Sequence, residues 1–140
     1  MCGISGILPA RPEPVDALER EIRGMNLAIR HRGPDDTGVW IDPRGVAALG
    51  HVRLSILDLS PLDHQPMATP DGAVQMVYNG EVYNYPELRR ELESLGHRFR
   101  SRGDSEVVLG AFQQWGAAAF RRFNGMFAAA FVDRRSNRVF

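Results

Sequence analysis

Met1-Cys2-Gly3-Ile4-Ser5-Gly6-Ile7-Leu8 opens the chain, and the reading of this stretch decides the fold class. Gly3 to Leu8 is expected to form a short buried strand that starts almost at the terminus. A turn over Pro9 to Pro14 follows. Asp16, with Glu19 three residues on, is placed as a helix N-cap with its capping-box partner. Leu18, Ile22, Met25 and Ile29 then fall on one helical face, and Gly33-Pro34-Asp35-Asp36 ends the helix. Val39 to Ile41 and Val46 to Leu49 read as a strand pair joined at Asp42-Pro43-Arg44-Gly45. Asp58 to Gly72 holds Pro61, Pro66 and Pro70 and reads as a long loop, of the length at which loops tend to be functional.

Further along, Val74 to Tyr78 reads as a strand ending at Asn79-Gly80. Asn84 and Glu87 frame a second helix, with Leu88, Leu92 and Leu95 on one face and Gly96 as its stop. Asp104 or Ser105 opens a third helix carrying Val108, Phe112 and Trp115. Met126 to Val132 is apolar throughout and reads as a buried strand. Asp133 to Asn137 is a turn, and Arg138-Val139-Phe140 begins another strand. The order is strand, helix, several strands, two helices, strands. That is α+β, not the regular alternation of a doubly wound parallel sheet. There is neither a Walker loop nor a G-x-G-x-x-G.

Composition narrows the classes. With 140 residues the chain can bury one real core. The 17 basic and 17 acidic residues cancel, so neither a nucleic-acid footprint nor an acidic solvating tail is expected. Ala128 to Val132 and similar apolar runs are far too short to span a bilayer. The N-terminus has neither the basic nor the apolar region of a secretory signal. A single cysteine forms no internal disulfide, and a cytoplasmic location fits it. His31, His51, His64 and His97 are scattered without cysteine at zinc spacing, so no metal site is expected.

Cys2 is where chemistry could begin. If Met1 is removed, Cys2 carries both a thiol and a free α-amine. Such an amine titrates at about 7.7–8.0 in model peptides, so part of it is neutral near pH 7. A neutral amine beside a thiol can serve as its base, directly or through a water, with no catalytic histidine. The rival reading is a buried structural cysteine that happens to be second.

The remaining motifs bear on that choice. The opening Met-Cys-Gly-Ile-Ser-Gly-Ile is followed, in order, by Arg30-His31-Arg32-Gly33-Pro34-Asp35, His51-Val52-Arg53-Leu54-Ser55-Ile56-Leu57-Asp58 and Gln65-Pro66-Met67. Then come Asn79-Gly80-Glu81-Val82-Tyr83-Asn84, Arg102-Gly103-Asp104-Ser105-Glu106 and Gly125-Met126-Phe127-Ala128. Each block alone is weak. Together, with compatible spacing over nearly the whole chain, they resemble the amino-terminal domain of glutamine-dependent asparagine synthetases. The resemblance implies an N-terminal-nucleophile hydrolase fold, two antiparallel sheets between helix layers, αββα. It implies hydrolysis of the glutamine side-chain amide through a cysteinyl thioester on Cys2. The ammonia then goes to a synthetase domain that attaches it to ATP-activated aspartate.

Such a site needs donors aimed at the tetrahedral oxyanion. Asn79 can offer its side-chain NH2 and Gly80 its backbone N–H, and the resemblance makes this pair the oxyanion hole. Asn-Gly is equally a common turn pair. Glutamine also presents a carboxylate and an ammonium. Arg53 suits the carboxylate through bidentate pairing, or is a solvated strand charge. Asp104 suits the ammonium, or is a helix N-cap. Glu81 is a second ammonium partner. The resemblance carries glutamine binding onto Arg53, Gly80, Glu81 and Asp104. The Arg30 to Asp35 block is read as supporting architecture, and Tyr83, Tyr85 and Trp115 as core aromatics.

One departure is large. No Ser-Gly-Gly-x-Asp-Ser pyrophosphate loop is present, so residues 1–140 read as one amidotransferase domain, truncated at its C-terminal end, without the synthetase domain. No cofactor is expected in this domain; ATP and Mg belong to the missing one. The expected partners are glutamine and that synthetase domain, with a homodimer left open and no nucleic acid or membrane. Two alternatives stay open: the glutaminase of another class II amidotransferase, and a non-catalytic relative acting as a binding module.

Overall fold

The computed structural model describes residues 2–55 and 61–140. Two antiparallel sheets carry it. The first has the order β1-β3-β2, from β1 (Gly3–Ile7), β2 (Asp36–Ile41) and β3 (Ala48–Arg53). The second has the order β4-β5-β6-β7, from β4 (Met67–Ala68), β5 (Val74–Val82), β6 (Gly125–Asp133) and β7 (Arg138–Val139). Helix α1 (Val15–Ala28) lies on the first sheet, and α2 (Tyr85–Ser94) and α3 (Ser105–Trp115) cover the second.

Three cores follow from strand periodicity. Leu18 and Ile22 of α1 pack on Ala48, with Ile7, Val39 and Ile41 around them. Ala47, Leu49, Val77 and Val132 meet between the sheets, beside Ile4 and Trp40. Val74, Met76 and Tyr78 of β5 face the other way, toward Leu88 and Leu92 of α2 and Val108 and Phe112 of α3. Alternate residues of β5 thus serve different cores, so a one-residue slip would exchange them and the register is held by both faces. Phe112 stacks on Phe131 at 4.3 Å between centroids and meets Phe140 edge-on at 5.2 Å. The layers run helix, sheet, sheet, helix, as the αββα expectation has it.

Local differences from the sequence reading have physical causes. Pro14, not Asp16, caps α1, and no side chain closes that end; Asp16 lies in the first turn and Glu19 pairs with Arg23 instead. The buried stripe of α1 is Leu18, Ile22 and Asn26, while Met25 is exposed. Asn26 is tolerated there because its carboxamide is fully used. It accepts from Ser5 Oγ at 2.8 Å and donates to Thr37 Oγ1, Gly38 O and His51 O, binding α1 to all three strands of its sheet. Asn79-Gly80 makes no turn: β5 runs straight through it, paired with Ala128 and Phe127 of β6. The apolar run of β6 is buried only at Phe131 and Val132, and Met126 is 75% exposed. Tyr83 is also exposed, at 53%, whereas Tyr85 and Trp115 do pack on the helix-side core. Ile56, Leu57 and Asp58, with the first part of the proline-marked loop, lie outside the described residues.

Candidate active site

At one end of the sandwich the start of β1, the end of β3 and the second half of β5 converge. Antiparallel pairing is the reason, since it sets Gly3 opposite Val52. A cavity of about 280 Å³ opens there. Cys2, Arg53, Asn79, Gly80, Glu81 and Asp104 all line it, so every residue singled out from the sequence is gathered in one place.

Cys2 sits just ahead of β1. Its Sγ lies 3.3 Å from the backbone N of Leu54, which donates to it, and 3.6 Å from the Leu54 carbonyl. The N–H donation is the one a thiolate would keep. Arg32 Nε donates to the Cys2 carbonyl at 3.1 Å. Behind it, Gly33 runs so close to β3 that a Cβ would fall 2.4–2.5 Å from Val52 and Arg53 backbone atoms. Asp35 N donates to Arg53 O at 3.0 Å, and an Asp35 carboxylate oxygen accepts from Ser55 N at 2.8 Å. The Arg30 to Asp35 block therefore buttresses the backbone of both Cys2 and Arg53.

Arg53 is 5% exposed, so it is no solvated strand charge. Its Nη2 lies 3.5 Å from Asp63 Oδ2. Asn79 and Gly80 are half-buried on β5, and Gly80 is required by the neighbouring strand, because a Cβ would meet Met126 O at 2.4 Å. Asp104 precedes α3 but makes no side-chain cap. Its Oδ2 accepts from the Tyr78 hydroxyl at 2.5 Å and from Val82 N at 2.9 Å. Burial, together with this carboxylate, pushes the Tyr78 phenol well above its ordinary pKa, so it stays a donor. Glu81 stands exposed at the rim.

Further lining residues have no role in the sequence reading, Tyr78, Gln65 and His51 among them. Tyr78 reads from sequence as a strand end, and nothing local announces its bond to Asp104. Gln65 lies inside the Gln65-Pro66-Met67 motif; its Oε1 accepts from Tyr78 N at 2.6 Å and ties the loop to β5. His51 is 1% exposed, and burial pushes its pKa down to about 4. The Tyr78 backbone nearby pulls the other way but does not outweigh that burial, and Nε2 has no hydrogen-bond partner among the described residues. No helix among the described residues is long and apolar enough to cross a membrane.

A family model described as a glutamine amidotransferase domain matches residues 1–140. Asparagine synthetase [glutamine-hydrolyzing] 1 of Bacillus subtilis is 39% identical over 129 residues, covering 91% of this chain and 20% of that protein. Asparagine synthetase [glutamine-hydrolyzing] 2 of the same organism is 37% identical over 141 residues, covering 100% of this chain and 18% of that protein. The chain thus spans less than a third of the length of the curated relatives it matches. Among solved structures, the glutamine phosphoribosylpyrophosphate amidotransferase of B. subtilis superposes with a TM-score of 0.74 at 18% identity, covering 94% of this chain and 35% of that one. That likeness speaks to the fold, and the family model speaks to the sequence over its whole length. Both agree with the convergence of motifs on one cavity: the chain belongs to the glutamine amidotransferase domain family.

Proposed function

We propose that this domain hydrolyses the side-chain amide of glutamine, with Cys2 as nucleophile, and supplies ammonia to an asparagine-forming synthetase domain. The observation that carries the reading is the gathering of Cys2, Arg53, Asn79, Gly80, Glu81 and Asp104 around one cavity of about 280 Å³. That volume is of the order expected for a small-molecule site.

The steps balance without a cofactor. With Met1 removed, the α-amine of Cys2 takes the thiol proton. The sulfur attacks the amide carbon, and the oxyanion that develops is met by Asn79 Nδ2 and the Gly80 N–H. The C–N bond breaks as the leaving nitrogen takes a proton, releasing ammonia and leaving a γ-glutamyl thioester. Water then adds to the thioester, and glutamate leaves as the thiol is restored. Arg53 holds the α-carboxylate. Asp104 and Glu81 receive the α-ammonium, and Tyr78 and Val82 N fix one Asp104 oxygen so that the other is presented to the ligand.

The link to asparagine synthesis is supported by the names of the relatives at 34–39% identity. ATP and Mg would act in the synthetase domain, on aspartate, and a cytoplasmic setting would keep the thiol of Cys2 reduced. Kinetics of ammonia release separate the roles. Arg53→Ala should raise KM for glutamine by roughly tenfold or more, the scale of a lost charge-assisted pair. Asn79→Ala should chiefly lower kcat, because its donor works on charge present only in the transition state. An unchanged KM in Arg53→Ala would refute the carboxylate assignment.

A further inference from the structure

We propose that Asp63 is a resident competitor for the carboxylate subsite and sets how weakly the cavity takes up free glutamine; this rests on the reading of Arg53 as the group that binds the substrate carboxylate. The roles proposed above assign nothing to Asp63. Among the described lining residues, Asp63, Glu81 and Asp104 are acidic and Arg53 is the one with a guanidinium. Glutamine brings one ammonium and one carboxylate. Glu81 and Asp104 suffice for the ammonium, so Asp63 is surplus.

Its position is not that of a surface acid. Asp63 ends a one-turn 3-10 helix, Pro61–Asp63, inside the proline-marked loop. Two residues on, Gln65 is buried and anchored to β5 through Tyr78 N. Asp63 therefore stands close to a fixed point and faces the cavity. Its side chain is 17% exposed, and the side chain of Arg53, 3.5 Å away, is 7% exposed. At such sites charges are screened far less than at the surface, so the pair is felt. A substrate carboxylate arriving at Arg53 meets a second carboxylate on the same guanidinium. It must share the cation against like-charge repulsion, or displace Asp63 from it.

The test reads binding without turnover, by calorimetric titration of the Cys2→Ala protein with glutamine and with glutaminamide, whose α-carboxylate is replaced by a neutral amide. Asp63→Asn should tighten glutamine by about fivefold to tenfold, a factor of the size expected for one neutralised like-charge contact. Glutaminamide should change by less than about twofold, since it brings no competing charge. Asp63→Glu should behave as the unaltered residue, and Asp63→Ser offers a second neutral side chain if the asparagine variant folds poorly. Unchanged or weaker glutamine binding in both neutral variants overturns the proposal. Equal tightening of both ligands also overturns it, because that would mean a general opening of the cavity. Arg53→Lys separates the two layers of argument. If it leaves the preference between glutamine and glutaminamide untouched, the carboxylate assignment itself has failed. If it erodes the preference while Asp63→Asn does nothing, the competitor role alone has failed.

Discussion

Gly33→Ala is the perturbation that most directly probes how the site is built. An alanine Cβ at this position would lie 2.4 Å from the Val52 carbonyl carbon and 2.5 Å from Arg53 N. Atoms of that kind do not approach within 3.0 Å, so the turn and β3 must part by about half an ångström or more. Neither side is a flexible side-chain tip. Forced separation of packed groups costs about 1–3 kcal/mol. The Asp35 N to Arg53 O bond, 3.0 Å long, is strained by the same movement, for about 1 kcal/mol more. Against this, φ at Gly33 is −152°, which alanine adopts freely, so the stiffer unfolded chain returns about 0.4–1 kcal/mol. The net loss is about 1–3 kcal/mol, or roughly 4–12 °C in Tm at about 4 °C per kcal/mol for a chain of this size. Gly24→Ala is the internal control: it lies on the exposed side of α1 with nothing within 4 Å of a Cβ, and should gain about 0.5–1 kcal/mol. Thermal unfolding of the three proteins by circular dichroism decides it. A Gly33→Ala midpoint within a degree of the unaltered chain would refute the claim that this block buttresses Cys2 and Arg53.

Two other predictions concern the floor and wall of the cavity. Tyr78→Phe leaves one Asp104 oxygen with Val82 N alone, so KM for glutamine should rise about threefold to tenfold, the scale of one charge-assisted bond, with a smaller change in kcat. Glutaramate, which lacks the α-amine, should be nearly indifferent to the change; an equal loss for both ligands would argue against a positioning role. His51, with a folded pKa of about 4 against about 6.5 when unfolded, is buried neutral. Its folded value is depressed, so its contribution is complete above pH ~6.5 and is lost as pH falls toward ~4, to a total of about 3 kcal/mol. Urea unfolding from pH 7 to pH 4 should therefore show a shallower acid decline in His51→Gln than in the unaltered chain, and identical slopes would contradict the assignment.

Much of this molecule is legible in its sequence, and the illegible parts share a cause. Element type was readable wherever one face alone was apolar, as in α1 and α2, or where a turn was marked, as at Asp42 to Gly45. The six positions singled out through ordered motifs all line one cavity. What escaped was set by tertiary partners. Asn26 carries no apolar signal, and its burial is set by Ser5, Thr37, Gly38 and His51, which use every group of its carboxamide. Asn79-Gly80 reads as a turn by local chemistry, yet β6 pairs along it and overrides the preference. The apolar run from Met126 reads as core, but only its far end, Phe131 and Val132, is buried. Asp63 and Tyr78 gain meaning from Arg53 and Asp104, which lie on other parts of the fold, and no local pattern could announce either pair.

The central claim is that Cys2 attacks glutamine and carries the glutamyl group as a thioester. It is tested most directly by intact-mass measurement of the processed protein, mixed with glutamine and acid-quenched before steady state, with peptide mapping of the adduct. The account predicts a species heavier by one γ-glutamyl group, located on Cys2, which appears as ammonia is released and is absent from Cys2→Ala. An acyl group on another residue would contradict it, as would ammonia release at the normal rate from Cys2→Ala or from protein that retains Met1.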